Sequence, residues 1–149
     1  MNESLPLRIV QLVTDDQIAD VFRLVAQLRP RVTRETFVAE VRRQEANGYA
    51  AAAGNVDGVP VVFAGYRPAH TLARGPHLFV DDLVTDESVR GQGHGRAMLR
   101  WLAGRALELG LPRVHLDSRD TARGFYADAG FEFSTSIPCS IDAQRLIRD

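Results

Sequence analysis

Arg90-Gly91-Gln92-Gly93-His94-Gly95-Arg96 is the part of this 149-residue chain whose composition points most directly to chemistry. Three alternating glycines let a backbone approach an anion closely, and the flanking arginines add charge-assisted hydrogen bonds. Where such a run opens a helix, the first N–H groups are unpaired and lie at the positive end of the dipole. The chemistry would be the holding of a phosphate or pyrophosphate; a flexible surface turn is the alternative reading of the same residues. Spacing excludes two familiar forms of it. A dinucleotide loop needs a third Gly three residues after the second, where this chain has Arg96 or Met98. A Walker A loop needs Gly-Lys, yet all 18 basic residues are arginine. The lack of lysine also excludes a Schiff-base enzyme.

Other reactive side chains are sparse. Cys139 is alone, so no disulfide or cysteine-based metal cage forms within the chain, and it reads as a small buried or half-buried hydrophobe. His70, His77, His94 and His115 show no metal-ligand spacing with each other or with carboxylates, so no metal is expected. The 18 basic and 19 acidic residues nearly cancel, which argues against a nucleic acid or an anionic membrane as partner. Met1–Val13 lacks the basic and long apolar regions of an export signal, and no apolar run approaches the roughly 20 residues of a membrane span. The expectation is a cytoplasmic protein in one domain, 1–149.

The glycine loop must be held by the elements around it. Leu7–Val13 reads as a strand, and Thr14 with Gln17 as a capping box opening a helix that Pro30 ends. Phe37, Val38 and Val41 give a second helix its apolar face, closed by Asn47–Gly48. Strands Tyr49–Ala53 and Val59–Tyr66 flank an Asp57-Gly58 turn, Arg67–Pro76 reads as a loop, and His77–Thr85 as a fourth strand. The glycine loop follows, then a helix from about His94 to Leu109 stopped by Gly110 and Pro112. Val114–Asp117 is a short strand, Asp120–Ala129 a helix, and Phe131 onward a final strand or hairpin. The order β-α-α-β-β-β-α-β-α-β is that of an α/β layer fold, a mixed sheet flanked by helices.

Arg-x-x-Gly-x-Gly after a strand and before a helix resembles motif A of the GCN5-related N-acetyltransferases, the GNAT superfamily. Ala122-x-x-Phe125-Tyr126-x-x-x-Gly130-Phe131 resembles a second signature of that superfamily, about 30 residues on with one strand between. Leu28-Arg29-Pro30 and Asp81-Asp82-Leu83-Val84-Thr85 are similar to a branch of small bacterial members. There are departures. Arg119 stands where the family often has Asn, Glu87 where Pro is common, and Pro138 with a short C-terminal region points to a reduced final hairpin.

The resemblance implies an acetyl-CoA-dependent N-acetyltransferase. Leu83, Val84 and Thr85 would bind the pantetheine arm through the backbone in a splay between the fourth and fifth strands, and polarise the thioester carbonyl. Arg90, Gly91, Gln92, Gly93, His94, Gly95 and Arg96 would hold the pyrophosphate. Tyr126 would protonate the departing thiolate. Strand alternation turns Asp81 and Asp82 to opposite faces, so only one looks into the acceptor cleft. Asp82 is favoured as base; Asp81, water relays or a purely structural role stay open.

The acceptor would be a primary amine on a small molecule or peptide. Arg29, Arg31 and Arg34 would favour an anionic acceptor if they faced the cleft, but a charge run ordinarily faces solvent, and that is the expectation. A non-catalytic CoA-binding sensor of the same fold and a longer acyl donor are the competing readings. Homodimers are common in the family, though no residue here marks an interface.

Overall fold

The computed structural model describes residues 5–148; Met1–Ser4, part of the stretch read for an export signal, lie outside it. The chain forms two compact units, 1–117 and 118–149.

Antiparallel pairing builds most of the first unit. Strands β1 (Leu7–Gln11), β2 (Ala50–Val56), β3 (Val59–Thr71) and β4 (Gly75–Thr85) are neighbours in chain order, and β5 (Val114–Leu116) closes the sheet parallel to β4. The β2–β3 turn has both central residues at positive φ, Asp57 at 50° and Gly58 at 76°. That is the geometry expected of an Asp-Gly hairpin. Strand periodicity in β2 and β3 sorts their side chains to two faces.

On one face Ala51, Ala53 and Phe63 pack with Ile18, Val21, Leu24 and Val25 and with Phe37 and Val41. These come from helices α1 (Asp15–Asp20), α2 (Phe22–Leu28) and α3 (Arg34–Glu45). The Thr14 hydroxyl accepts from Gln17 N, and the Gln17 side chain accepts from Thr14 N, so the capping box forms as read. The single helix expected after it is interrupted: Val21 caps α1 and opens α2. On the other face helix α4 (His94–Glu108) buries Met98, Leu99, Leu102 and Ala106, and Trp101 meets Tyr66 edge-on at 5.9 Å. Burying a large apolar side chain contributes roughly 1.5–3 kcal/mol, so these two faces dominate the stability.

One expectation about the sheet is corrected. Arg67–Pro76 is not a loop: β3 runs to Thr71, β4 starts at Gly75, and the turn is Leu72-Ala73-Arg74. The prolines misled because both sit in the outer end of a paired hairpin, Pro68 opposite Leu78 and Pro76 opposite His70.

The second unit opens with a 3₁₀ turn at Asp120–Ala122, followed by α5 (Arg123–Asp128) and α6 (Ala143–Ile147). Among the described residues no strand follows Phe131, so the expected final strand or hairpin is absent. Pro138 and the polar run around it deny the segment a period-2 apolar face. Cys139 is therefore exposed, not buried as read. No helix among the described residues is long and apolar enough to cross a membrane.

Candidate active site

β5 pairs with β4 only at Leu78, Val80 and Phe79 between them. Pairing stops at Val80 and Leu116, where β5 ends, and leaves that edge of β4 without a strand partner. Asp86 N donates to Val61 O at 2.8 Å, so alternation gives Val84 to the β3 ladder. Leu83 and Thr85 then turn their peptide groups toward the side that β5 has left. Arg90 Nε reaches one of them, the Thr85 carbonyl, at 3.3 Å.

The strand leads into the glycine loop. Gly91 has φ 83° and Gly93 φ 87°, conformations glycine adopts freely, and a Cβ at either would stand in open space. Gly93 caps α4, whose first backbone bond runs from Ala97 N to Gly93 O at 3.0 Å. The N–H groups of His94 and Gly95 precede that bond, in the first turn where helix geometry offers no intrahelical acceptor. The loop thus presents open backbone and a helix N-terminus together, with Arg90, Gly91, Gln92 and Gly93 all exposed. Exposed backbone of this kind is suited to an anion.

The junction between strand and loop is clamped by α2. Arg23 Nη1 donates to Asp86 Oδ2 at 2.6 Å, Gln27 Nε2 to Asp86 Oδ1 at 3.3 Å, and Glu87 N to Gln27 Oε1 at 3.0 Å. Arg23 Nη2 also reaches Pro60 O at 3.1 Å. The Arg23 guanidinium, helped by Ser88 N–H and Gln27, holds the Asp86 carboxyl down to about 2 against the cost of burial.

Asp81 and Asp82 lie farther down the same strand. Gly65 pairs with Asp82 but Tyr66 pairs with Val80, so one extra residue, Asp81, is accommodated in β4. This bulge breaks the alternation, and both carboxylates line one cleft of about 760 Å³ in the first unit. The expectation that only one would face it is thereby corrected. Asp82 accepts from Tyr49 Oη at 2.8 Å and from Arg29 Nε at 2.9 Å, so each of its oxygens is engaged. Arg29 Nη2 also donates to the Asp81 carbonyl at 2.9 Å. Asp81 is met by Arg67 Nε, at 3.0 Å to Oδ2. Burial pushes the Asp81 carboxyl above the usual carboxylate range, against the pull of Arg67. Burial, with the Asp82 charge, raises the Tyr49 phenol far enough to keep it a donor.

The cleft corrects a further expectation. Arg29 turns into it and bonds Asp82, whereas Arg31 borders it but is exposed as expected, and Arg34, also exposed, lies over the Phe22 ring at 4.8 Å. Arg23, Gln27, Tyr49, Arg67 and Asp86 were not singled out from the sequence. The clamp and pairings they make span 14 to 63 residues, and no local pattern announces them.

In the second unit Tyr126 is buried, with Phe125 and Phe131 edge-on at 5.0 and 5.4 Å. Gly130, at φ 94°, turns the chain after α5 so that Phe131 N bonds Tyr126 O at 3.0 Å. Burial raises the Tyr126 phenol above its ordinary value, which keeps it protonated at neutral pH.

Comparison with known proteins bears on this arrangement. Residues 16–131 match the family model described as Acetyltransferase (GNAT) family. Uncharacterized N-acetyltransferase YhdJ of Bacillus subtilis (strain 168) is 27% identical over 122 residues, 79% of this chain and 86% of that one. The aminoglycoside N-acetyltransferase AAC(6')-Iy, solved in complex with CoA, is similar in structure at TM-score 0.83 and 17% identity, over 96% of this chain and 99% of that one. Glucosamine-6-phosphate N-acetyltransferase from Arabidopsis thaliana gives TM-score 0.74 at 21% identity, over 93% and 99%.

Proposed function

The chain belongs to the GNAT acetyltransferase family, and from that premise we propose that it moves an acetyl group from acetyl-CoA to a primary amine held in the cleft at Asp81 and Asp82. One observation carries the reading. The edge of β4 at Leu83–Thr85, without a strand partner, runs directly into the glycine cradle at one end and the carboxylate cleft at the other.

In this reading the cosubstrate supplies an activated acyl group as a thioester. Arg90 to Arg96 hold its pyrophosphate, with the backbone of Gly91 and Gly93 and the α4 N-terminus as the main donors. The peptide groups of Leu83 and the N–H of Thr85, which no strand pairs, bind the pantetheine arm alongside Val84, and an N–H there stabilises the charge that grows on the thioester oxygen. The acceptor arrives as an ammonium. Asp82, its charge met by Arg29 and its other oxygen by Tyr49, shapes the wall of the cleft; Asp81, whose affinity for a proton is raised by burial, takes the ammonium proton. The freed amine attacks the thioester carbonyl, and Tyr126 protonates the departing thiolate. An ammonium and a thioester thus become an amide, a thiol and one proton, which leaves to solvent.

The test is thiol release from acetyl-CoA across a panel of primary amines. Release that depends on an amine, with a matching acetylated product, is the expected result. Tight CoA binding with no release from any amine would replace the reading with a sensor of the same fold. Preference for a longer acyl-CoA would revise the donor alone.

A further inference from the structure

Charge in the acceptor cleft does not balance evenly once its pairings are followed. Three arginines and three acids line it: Arg29, Arg31, Arg67, Glu40, Asp81 and Asp82. Arg29 pairs with Asp82 at 2.9 Å and Arg67 with Asp81 at 3.0 Å. Glu40 pairs with Arg43, which is not part of the lining, at 3.5 Å. Arg31 has no ion pair among the described residues, and it is exposed. The charge left to meet a ligand is therefore positive, beside two carboxylates already neutralised.

Unused donors point the same way. Arg29 spends Nε and Nη2 on Asp82 and the Asp81 carbonyl, and Arg67 bonds Asp81 through Nε. The outer nitrogens of Arg67 and the whole Arg31 fork remain for a planar or tetrahedral anion. Val25, Val32, Phe37, Val41 and Phe63 add apolar lining to the same cleft. A cleft of about 760 Å³ is the size that encloses a small metabolite rather than a protein surface.

We infer that the acceptor is a primary amine that also carries an anionic group, a carboxylate or a phosphate, on a small apolar body, with Arg31 as the residue that reads the anion. The inference rests on the transfer reading above and narrows it. A polycationic amine gains little here, because each carboxylate already has its arginine and Arg31 repels additional positive charge.

Matched acceptors test this: phenylalanine, phenylalaninamide and phenethylamine; leucine, leucinamide and isoamylamine; phosphoethanolamine and ethanolamine; and spermidine and neamine as polycations. The expected result is kcat/KM higher by about tenfold or more for the anionic member of a set, the worth of one charge-assisted hydrogen bond. Arg31→Gln should erase that difference by raising KM for the anionic acceptor, with KM for acetyl-CoA unchanged. Whether the amino acids or phosphoethanolamine lead decides between carboxylate and phosphate. Preference for the amides, simple amines or polycations would overturn the inference while leaving acetyl transfer intact. So would an anion preference that survives Arg31→Gln. No thiol release from any amine, with CoA still bound, would sink the transfer reading and this inference with it.

Discussion

Tyr49 donates its hydroxyl to Asp82 at 2.8 Å by passing over Gly65, the residue paired with Asp82 on the neighbouring strand. A Cβ at Gly65 would fall on the Tyr49 hydroxyl and the ring carbon that bears it. The hydrogen bond and the missing side chain are thus one feature.

Tyr49→Phe should leave the Asp82 carboxylate short of one donor in a part-buried site, a cost of about 1–3 kcal/mol. Gly65→Ala should cost more, because the ring and not only the hydroxyl must move. Urea unfolding of both variants measures this. Equal stability of Gly65→Ala and the parent would show that Tyr49 does not depend on the notch.

Tyr126→Phe keeps the ring contacts with Phe125 and Phe131 and removes only the proton donor. Turnover should fall roughly 10²–10⁴-fold with little change in acetyl-CoA affinity. Calorimetric CoA titration beside steady-state kinetics separates the two. An unchanged kcat would remove Tyr126 from the chemistry.

Gly93→Ala meets no atom, so its penalty is purely conformational: a left-handed φ of 87° costs a residue with a Cβ about 1–2 kcal/mol. The strain falls on the cap of α4. KM for acetyl-CoA should rise while kcat with saturating donor changes little. A loss confined to kcat would place the loop's role elsewhere.

Asp86 makes a pH prediction. Its carboxyl sits at about 2 in the folded chain, below the usual value of about 3.9 in an unfolded one. A lowered carboxylate stabilises the fold above pH 4 or so, and the contribution disappears as pH falls through about 2. Because Arg23 is half exposed and screened by water, the worth is about 1 kcal/mol. Asp86→Asn should be less stable at neutral pH and should lose stability less steeply on acidification. Parallel curves for the two proteins, followed by urea unfolding, would contradict the clamp.

What could be read beforehand was what the chain specifies locally. Thr14 with Gln17, Asp57-Gly58 and the Arg90–Arg96 loop each depend on neighbours a few residues away, and each forms as expected. The bulge at Asp81 depends on how β3 and β4 slide past each other, and an Asp-Asp pair on a strand gives no sign of it. The reach of Arg29 to Asp82 spans 53 residues, so a solvent-facing charge run was the natural reading of Arg29-Pro30-Arg31. Pro68 and Pro76 carried a strong loop signal that pairing along the hairpin overrode. Phe37, Val38 and Val41 mark an apolar helix face in the sequence, yet only the fold shows that Phe37 and Val41 also line a cleft.

β5 gives β4 just three residues of pairing. The consequence concerns what is free to vary. If the pantetheine arm is gripped by peptide groups that a neighbouring strand has left unpaired, that part of donor recognition is written in the main chain, which a change of side chain in the cleft does not alter. Selection can then rework Arg31, Phe37 or Val41 for a new amine without renegotiating that grip. The short strand makes the two halves of the reaction separately adjustable.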